Sequence, residues 1–585
     1  MPKRSSPTPA SPGEAPGCRG DLWLITLLSA AIFTFAHLSG LANPYVINDD
    51  ARQQIYWMQA WSDPQLFPRD LLTDYARHYV PWGVKGIYWL ASFAVDPVYF
   101  SKVLPGLLLV FLSLCLYRIG VALKDRALGW TAVSVFWLMP FFLGDLSGGL
   151  ARAFAAPLLA WFWLGWLENR PGVMALALLL QALCIPYIFP VAAGAAAMAW
   201  AAPRLGFGGE PPPFPATRAH WLLLALGAGL VLFFNISLTT AGFGPLVSRA
   251  EMAGRPEFMS QGRYPLIPVT SVFLELILPW ERIPPFSEGG IVVGVLVLIG
   301  LLSVAVYGTQ RVNWAGFKPR LKSAVYLGLA SLLFYFLARL LLLRLFIPDR
   351  YLFYTLNLFY AVGLAVCLRA AVQGHRWPRG LAHLALVLVV VLSGLRLKGV
   401  ELYDYSAYRP LFTTLAQTPK DAVVAGHPNL MDNIPTFARR RAFATFELAH
   451  PWSRGYWEKM RPRLEELFTA YYAADPEVVR DFCRRHGISF LVVDDRHFAP
   501  DFLQGGRFYV PDLTPLAAHR QRSLAEKIRG PFFAPFAEQI QNLTRGRRHF
   551  ALLSREDFPG QEIDAHLRLV DMRPQEQQPS LKSRQ

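Results

Sequence analysis

Long apolar stretches recur through the first two thirds of the chain, and short polar loops separate them. Each stretch of about 20 residues is long enough to cross a hydrocarbon core of about 30 Å as an α-helix. The pattern predicts about 11 transmembrane helices. They are expected near residues 22–41, 98–122, 127–143, 150–167, 173–187, 188–202, 219–240, 290–308, 323–346, 350–371 and 380–398. The apolar segment 79–95 is instead predicted to lie along the outer face of the membrane, because a span there would disturb the alternation of basic loops.

Composition and charge agree with a multi-pass membrane protein. Of the 585 residues, 53% are hydrophobic and 17% are charged, and the formal net charge is +16. Ordinary soluble domains contain about 25% charged residues, so a soluble globule is excluded. The Lys and Arg residues cluster in alternate short loops, such as 118–126, 311–322 and 369–379. This asymmetry predicts a cytoplasmic N-terminus, and it accounts for the positive charge without a nucleic-acid partner.

The chain divides into four predicted regions. Residues 1–20 form a disordered cytoplasmic tail, 21–398 a transmembrane domain with a long outer loop at 42–97, 399–570 an α/β domain, and 571–585 a disordered tail. The α/β assignment rests on β-like runs at 422–425 and 490–494 and on a helix expected between Asp475 and Gly487, which supply its N-cap and its stop. The predicted fold class is therefore a polytopic α-helical membrane protein with a C-terminal extracytoplasmic α/β domain.

Two adjacent carboxylates, Asp49 and Asp50, open the first outer loop just beyond the first span. They, or Asn48, could simply cap the amphipathic surface helix expected after them, but capping needs only one acceptor. Paired carboxylates beside a low-dielectric core are costly unless they are solvated or paired. We therefore interpret Asp49 and Asp50 as candidate catalytic residues. Arg52 and Arg69 of the same loop are candidate substrate ligands, although Arg69 could equally pair with a neighbouring acid.

Later outer loops supply further candidate substrate ligands. Asp145 lies between two spans and Arg152 begins the next one, where it either joins a site or reaches phospholipid phosphates. Arg350 and Tyr351 follow a late span, and the planar fork of Arg350 suits a phosphate. A structural pair between Asp349 and Arg350 is the alternative. No His or Cys cluster has metal-ligand spacing, so no cofactor is predicted and a divalent cation is not favoured.

These features together resemble the GT-C superfamily of membrane glycosyltransferases. The resemblance rests on the N-in first span, the Asp49-Asp50 pair opening a long outer loop, the acidic loop at Asp145, the Pro348-Asp349-Arg350-Tyr351 turn and the extracytoplasmic α/β tail. It implies a polyprenyl-phosphate sugar donor held in the membrane lipid and inverting transfer to a glycan, lipid or protein acceptor. It also implies that Asp49 or Asp50 is the general base and that Arg152 and Arg350 stabilise the departing phosphate. For Asp145 it implies either that the carboxylate orients the acceptor or, as in metal-using relatives, that it holds a cation.

One departure from the family narrows the expected reaction. The chain lacks the Trp-Trp-Asp-Tyr-Gly motif of oligosaccharyltransferase catalytic subunits. A single-sugar transferase that works without metal therefore fits better than one that transfers a whole glycan. Residue usage rich in Ala, Leu and Arg suggests a bacterial inner membrane, with the C-terminal domain in the periplasm.

Two other classes of protein remain as alternatives. One is a polytopic transporter or flippase for lipid-linked glycans, and the other is a non-catalytic membrane assembly protein. Transporters commonly place polar residues near the bilayer midplane. Here Arg339 and Arg344 are the main charges inside a predicted span, and both lie near its outer half.

Overall fold

The computed structural model describes residues 16–206, 213–215, 217–259, 303, 306–312, 314–342, 344–372, 379–505 and 534–574. Within these ranges the chain forms a bundle of apolar helices followed by a C-terminal α/β region. The two predicted disordered tails and the predicted span 290–308 lie largely outside the described residues.

Within the described residues of the N-terminal part, helices are present at most of the predicted apolar segments and also in the first outer loop. They are α1 (Pro16–Ala42), α2 (Ala51–Gln54), α3 (Leu71–Tyr79), α4 (Trp82–Ser92), α5 (Pro97–Leu123), α6 (Arg126–Trp137), α7 (Pro140–Leu146), α8 (Ala155–Leu167), α9 (Pro171–Cys184), α10 (Phe189–Ala201), α11 (Arg218–Thr240), α12 (Arg249–Met252), α13 (Trp314–Leu340), α14 (Asp349–Ala371) and α15 (Arg379–Leu397). Short 3₁₀ turns lie at Tyr56–Trp61, Ala151–Phe154, Ala202–Leu205 and Pro256–Phe258.

Six helices of the described part are long and apolar enough to cross a membrane, namely α1, α5, α11, α13, α14 and α15. Helices α6 and α7 pass the same test together but bend by 71° at the break between them. The 151–167 segment and α9 are apolar but shorter. The chain is thus a multi-pass membrane protein, while the count of about 11 spans stays a prediction.

Local sequence explains where several helices begin and end. Asp96 caps α5, because its carboxylate accepts hydrogen bonds from the amides of Val98 and Tyr99 at 2.8 and 3.2 Å. The expected interruption of the long apolar stretch 173–202 is confirmed, since α9 ends at Cys184 and α10 begins at Phe189.

The basic loops gather at one end of the bundle. Charged contacts join the start of α1, the α5–α6 junction, the end of α8, the start of α13 and the end of α14. These are Arg126 with Asp21 at 2.8 Å, Arg118 with Glu168 at 2.6 Å, Arg320 with the Leu123 carbonyl at 2.9 Å and Arg369 with Asp125 at 3.4 Å. Asp49 and Asp50 follow the opposite end of α1. The basic loops and this acidic pair therefore lie at opposite ends of the bundle, as the loop charges predict.

The C-terminal region is an α/β domain around a five-stranded sheet with strand order β4-β3-β5-β7-β6. Its strands are β2 (Tyr403–Asp404), β3 (Val423–Gly426), β4 (Arg441–Ala442), β5 (Phe490–Asp494), β6 (Gly560–Glu562) and β7 (Leu567–Asp571), of which β2 lies outside this sheet. Its helices are α16 (Arg409–Ala416), α17 (Pro428–Met431), α18 (Ile434–Phe437), α19 (Arg454–Tyr471), α20 (Pro476–His486), α21 (Pro500–Gly505) and α22 (Ala534–Thr544). Strand β3 pairs in parallel with β4 and β5, whereas β7 is antiparallel to β5 and β6.

The helix predicted between Asp475 and Gly487 is confirmed as α20. The Asp475 carboxylate accepts the Glu477 amide at 2.9 Å, and Gly487 ends the helix at a φ of 59°. The chain then runs directly into the buried strand β5. The strand predicted at 422–425 is likewise present as β3, shifted by one residue.

The first outer loop is built into the C-terminal domain. Strand β1 (Val46–Ile47) pairs with β2 in a separate antiparallel sheet, with Val46 opposite Asp404 and Ile47 opposite Tyr403. The prediction of an amphipathic helix floating on the membrane after Asp50 is wrong. The segment forms one short α-helical turn and a 3₁₀ turn, and Ile55 is fully buried. Its apolar positions cover protein instead of lipid.

Candidate functional site

Neither aspartate of the Asp49-Asp50 pair caps the helix that follows it. Oδ1 of Asn48 accepts the backbone amide of Ala51 at 3.3 Å, and Asp50 makes no capping hydrogen bond. Capping therefore leaves both carboxylates available for other partners.

Asp49 faces the C-terminal domain. Arg52 forms an ion pair with it, and the hydroxyl of Tyr405 donates to its Oδ1 at 2.9 Å. The guanidinium of Arg52 also donates to Asn433 and lies 4.2 Å from the centre of the Tyr405 ring. The pKa of Tyr405 is raised by burial. These contacts make a clamp between the outer loop and the C-terminal domain, which we call the Arg52 clamp (Asp49, Arg52, Tyr405 and Asn433).

Asp50 faces the membrane bundle. Its Oδ2 forms an ion pair with Arg152, which lies in the 3₁₀ turn before α8. The side chain of Asp50 is 32% exposed and that of Arg152 is 21% exposed, so the pair is partly open to solvent. Arg152 therefore meets a protein carboxylate, and the two neighbouring aspartates point to different partners.

A third carboxylate, Glu401, completes the surroundings of Arg152. Arg152 interacts electrostatically with both Asp50 and Glu401, and it is repelled by Arg350. Nδ2 of Asn48 donates to the Glu401 carbonyl at 3.2 Å, which joins the first outer loop to the segment that contains Glu401. The segment between α15 and β2 thus contributes a charged group at the same place as the first outer loop.

Arg350, at the start of α14, belongs to the same group of charges. Its Nη1 donates to the hydroxyl of Tyr354 at 3.4 Å, and it interacts electrostatically with Tyr187 and Asp145. The hydroxyls of Tyr187 and Tyr354 lie 3.4 Å apart. We refer to Asp50, Asp145, Arg152, Arg350 and Glu401 as the charge cluster.

Three sequence-predicted ligands lie outside the charge cluster. Arg69 is exposed in a turn at a φ of 49°, and the structure shows no hydrogen bond or ion pair between it and the described members of the charge cluster. Tyr351 is 3% exposed and its hydroxyl donates to the Leu345 carbonyl, so it fastens the turn before α14. Arg52 is likewise occupied by its clamp.

Several residues of the site escape the sequence pattern. Tyr187 lies in the break between α9 and α10. Tyr354 follows Arg350 by one turn of α14, so the side chains of Arg350 and Tyr354 lie on one face of that helix. Glu401 is the first acid after the last predicted span. Tyr405 and Asn433 carry no signal in the sequence, because their role depends on how the C-terminal domain docks.

Among the described residues, no group of three or more His, Cys, Asp or Glu side chains could hold a metal ion. The charge cluster contains two guanidinium groups and three carboxylates. Two guanidinium groups can bind an oxyanion, and the carboxylates can accept protons or bind hydroxyl groups.

Fold and site define a multi-pass membrane protein with a charge cluster between its helical bundle and a C-terminal α/β domain. No protein-family model and no curated protein sequence matches the chain. Among solved structures it is similar to the oligosaccharyltransferase of Archaeoglobus fulgidus in complex with Zn and sulfate, with a TM-score of 0.45 and 12% identity over 84% of this chain and 70% of that chain. For the same enzyme tethered to an acceptor peptide containing the NVT sequon, the TM-score is 0.44 and the identity is 13% over 85% of this chain and 71% of that chain. For the oligosaccharyltransferase AglB from Archaeoglobus fulgidus with an inhibitory peptide and a dolichol-phosphate, the TM-score is 0.42 and the identity is 12% over 88% of this chain and 73% of that chain. Likeness at this level identifies neither a family nor an activity.

Proposed function

We propose that the protein is an inverting glycosyltransferase that moves a sugar from a polyprenyl-phosphate carrier to an extracytoplasmic acceptor. The observation that carries the proposal is the charge cluster, in which Arg152 pairs with Asp50 and interacts electrostatically with Glu401 and Arg350, while Arg350 interacts with Asp145. The sequence resemblance to GT-C enzymes supports the same reaction. The membrane is proposed to be a bacterial inner membrane, with the charge cluster and the C-terminal domain on its periplasmic side.

The chemistry assigns Asp50 as the general base. The acceptor oxygen attacks the anomeric carbon on the face opposite the phosphate, while the bond from that carbon to the phosphate oxygen breaks and its electron pair leaves with the phosphate. Asp50 takes the acceptor proton. Asp50 is favoured over Asp49 because it adjoins Arg152, whereas Asp49 is held by Arg52 and Tyr405 in the Arg52 clamp.

Arg152 and Arg350 are proposed to hold the departing phosphate. The two guanidinium groups repel each other electrostatically, and a doubly charged oxyanion would relieve that repulsion. On donor binding, Arg152 turns from Asp50 to the phosphate, which frees the carboxylate to act as the base. Asp145 is proposed to orient the acceptor, which is a glycan, a lipid or a protein.

Separate Asp50→Asn and Asp49→Asn variants test the proposal. Wild-type protein and both variants are reconstituted in vesicles with radiolabelled polyprenyl-phosphate glucose, mannose or arabinose, and transfer to extracted envelope acceptors is measured. Asp50→Asn should lose at least about 100-fold in kcat, the usual contribution of a general base. Asp49→Asn should stay within about tenfold of wild type, because a positioning contact is lost and not the base. Asp74→Asn, an exposed acid of the same outer loop, is the matched control.

Two results would overturn the proposal. Absence of transfer by the wild-type protein with every donor would favour a transporter or an assembly protein. Full transfer by Asp50→Asn would remove the assigned base.

A further inference from the structure

Two breaks between bundle helices each present an aromatic ring next to the start of α14. Tyr187 lies in the break between α9 and α10, and Phe346 lies in the turn that precedes α14. The two rings stack, with their centres 4.9 Å apart and their planes inclined by 15°. Both residues are half-buried, so part of their aromatic surface stays open. We call Tyr187 and Phe346 the aromatic pair.

The backbone of Phe346 has a conformation that bulky residues rarely adopt. Its φ is 76°, in the left-handed region. The turn that follows is closed by a hydrogen bond from the Arg350 amide to the Ile347 carbonyl at 3.2 Å. Strain of this kind persists where the surrounding structure enforces it, and it concentrates at functional sites. The stacking of Phe346 on Tyr187 is therefore kept despite its conformational cost.

Hydrogen-bonding groups join the aromatic pair to Arg350. The hydroxyl of Tyr187 lies 3.4 Å from that of Tyr354, and Nη1 of Arg350 donates to the same Tyr354 hydroxyl at 3.4 Å. Both distances are long for hydrogen bonds, so these groups can exchange each other for a stronger partner. Aromatic surface, two hydroxyl groups and a guanidinium group thus lie next to one another at the proposed phosphate site.

A sugar joined to a phosphate has the matching chemistry. The C–H groups on one face of a sugar ring can pack against an aromatic ring, and the sugar hydroxyl groups both donate and accept hydrogen bonds. In the proposed donor the sugar is bonded directly to the phosphate. A phosphate held by Arg350 therefore brings the sugar within reach of the groups that contact Arg350. A polyprenyl tail, by contrast, has no polar group for the hydroxyls of Tyr187 and Tyr354.

We propose that the aromatic pair and the Tyr354 hydroxyl form the subsite that binds the sugar of the lipid-linked donor, with the sugar ring against aromatic surface and its hydroxyl groups on the two tyrosines. This inference rests on the proposed glycosyl transfer. It separates the recognition of the sugar, by Tyr187, Phe346 and Tyr354, from that of the phosphate, by Arg152 and Arg350.

The test compares sugar-loaded carriers with the bare carrier. Dissociation constants of the purified full-length protein are measured for polyprenyl-phosphate glucose, mannose and arabinose, and for free polyprenyl phosphate. Phe346→Leu and Tyr187→Leu remove an aromatic ring, whereas Phe346→Tyr and Tyr187→Phe keep it. Phe93→Leu, which changes an exposed phenylalanine of α4, is the matched control.

Wild type should bind at least one sugar-loaded carrier more tightly than free polyprenyl phosphate. Phe346→Leu and Tyr187→Leu should weaken binding of that donor about five- to tenfold, the scale of one lost aromatic contact. Their binding of free polyprenyl phosphate should change less than about twofold, since both arginines remain. Phe346→Tyr and Phe93→Leu should match wild type.

Tyr187→Phe tests the subsite even if a leucine variant fails to fold, because it keeps the stacked ring and removes only the hydroxyl group. Its affinity for the donor should fall between those of wild type and Tyr187→Leu, since one hydrogen bond to the sugar is lost. Its affinity for free polyprenyl phosphate should equal that of wild type.

The outcomes separate this inference from the proposed function. A wild type that prefers a sugar-loaded carrier but transfers no sugar in vesicles would refute the transfer reaction and still support the subsite. Equal weakening of donor and bare carrier in the leucine variants would mean that the aromatic pair contacts the lipid or only packs the bundle, and would overturn the inference. Donor binding that is unchanged in both leucine variants, or a wild type without preference for any sugar-loaded carrier, would overturn it too.

Discussion

The Arg52 clamp makes a specific prediction about how firmly the first outer loop is docked. Arg52→Gln removes the cation that joins Asp49 to Asn433 while keeping a polar side chain of similar length. The side chain of Arg52 is 4% exposed, so its charge is compensated by protein groups and not by bulk water. Removing it leaves the Asp49 carboxylate with the Tyr405 hydroxyl as its remaining clamp partner.

The size of the effect follows from the contacts. Breaking a buried ion pair by removing one partner costs about 3–5 kcal/mol, and a cation over an aromatic ring adds about 1 kcal/mol. The Asp49 side chain is 31% exposed, so water partly solvates the carboxylate that remains. We therefore expect a loss of about 3 kcal/mol, which corresponds to a factor of about 100 in the equilibrium constant for undocking the loop.

Hydrogen exchange of the full-length protein measures this undocking directly. The segment 51–61 contains hydrogen-bonded amides such as that of Met58, which donates to the Ile55 carbonyl at 2.9 Å. In the Arg52→Gln variant, these amides should exchange about 100 times faster. Arg52→Lys should fall between the variant and wild type, because lysine keeps the charge but lacks the planar fork.

The matched control is Arg484→Gln, which removes an ion pair of an exposed helix face in the C-terminal domain. Its side chain is 70% exposed and its partner Asp481 is 47% exposed. Such pairs contribute about 0–1 kcal/mol, so exchange in segment 51–61 should not change. If Arg52→Gln protected the loop as well as wild type does, or if Arg484→Gln weakened it equally, the clamp would not be what docks the loop.

Two further predictions follow from backbone and charge. Gly148→Ala should lower the rate of sugar transfer about tenfold and the free energy of unfolding by about 1–2 kcal/mol, because Gly148 has a φ of 84° and a Cβ there would lie 2.7 Å from Oδ1 of Asn48. The control Gly172→Ala has open space around it and should match wild type in transfer assays and thermal unfolding. Burial, with a contribution from the neighbouring Arg496, lowers the pKa of His497 to about 3 in the folded protein. In the unfolded chain the imidazole binds a proton already near pH 6.5, so the free energy of unfolding falls as the pH drops from about 6.5 towards 3. Between pH 7 and pH 4, the free energy of unfolding of His497→Gln, measured by thermal unfolding, should therefore decrease by about 3 kcal/mol less than that of wild type. The control His566→Gln, which changes an exposed histidine, should behave like wild type. A decrease in His497→Gln equal to that of wild type would refute the argument.

The periodicity of the sequence predicts most of the helical framework because membrane helices are fixed by length and apolar content. Helices α1, α5 and α14 match the expected spans within a few residues at their ends, except that α1 begins earlier. The loop after Asp50 was not predictable in this way. Its apolar residues have a helical spacing that suits a membrane surface, but in the structure they are buried against a domain that begins more than 300 positions later.

The candidate site shows the same limit. Charges placed at the ends of spans make Asp50, Asp145, Arg152 and Arg350 candidates, because such groups are costly unless they find partners. The sequence does not separate Asp49 from Asp50, since the distinction depends on Tyr405 and Asn433 of the C-terminal domain. Glu401 was missed for a related reason: its position reflects a left-handed backbone conformation that no glycine or turn motif announces.

The pairing of β1 with β2 also constrains how the protein is made. Asp49 and Tyr405 are 356 positions apart, and synthesis proceeds from the N-terminus. The ribosome must therefore deliver almost the entire helical bundle to the bilayer before the first loop can find its partner strand. A nascent chain that stalls before the last helix would leave Asp49 and Asp50 undocked, so the site is completed late, after the C-terminal third has been translated.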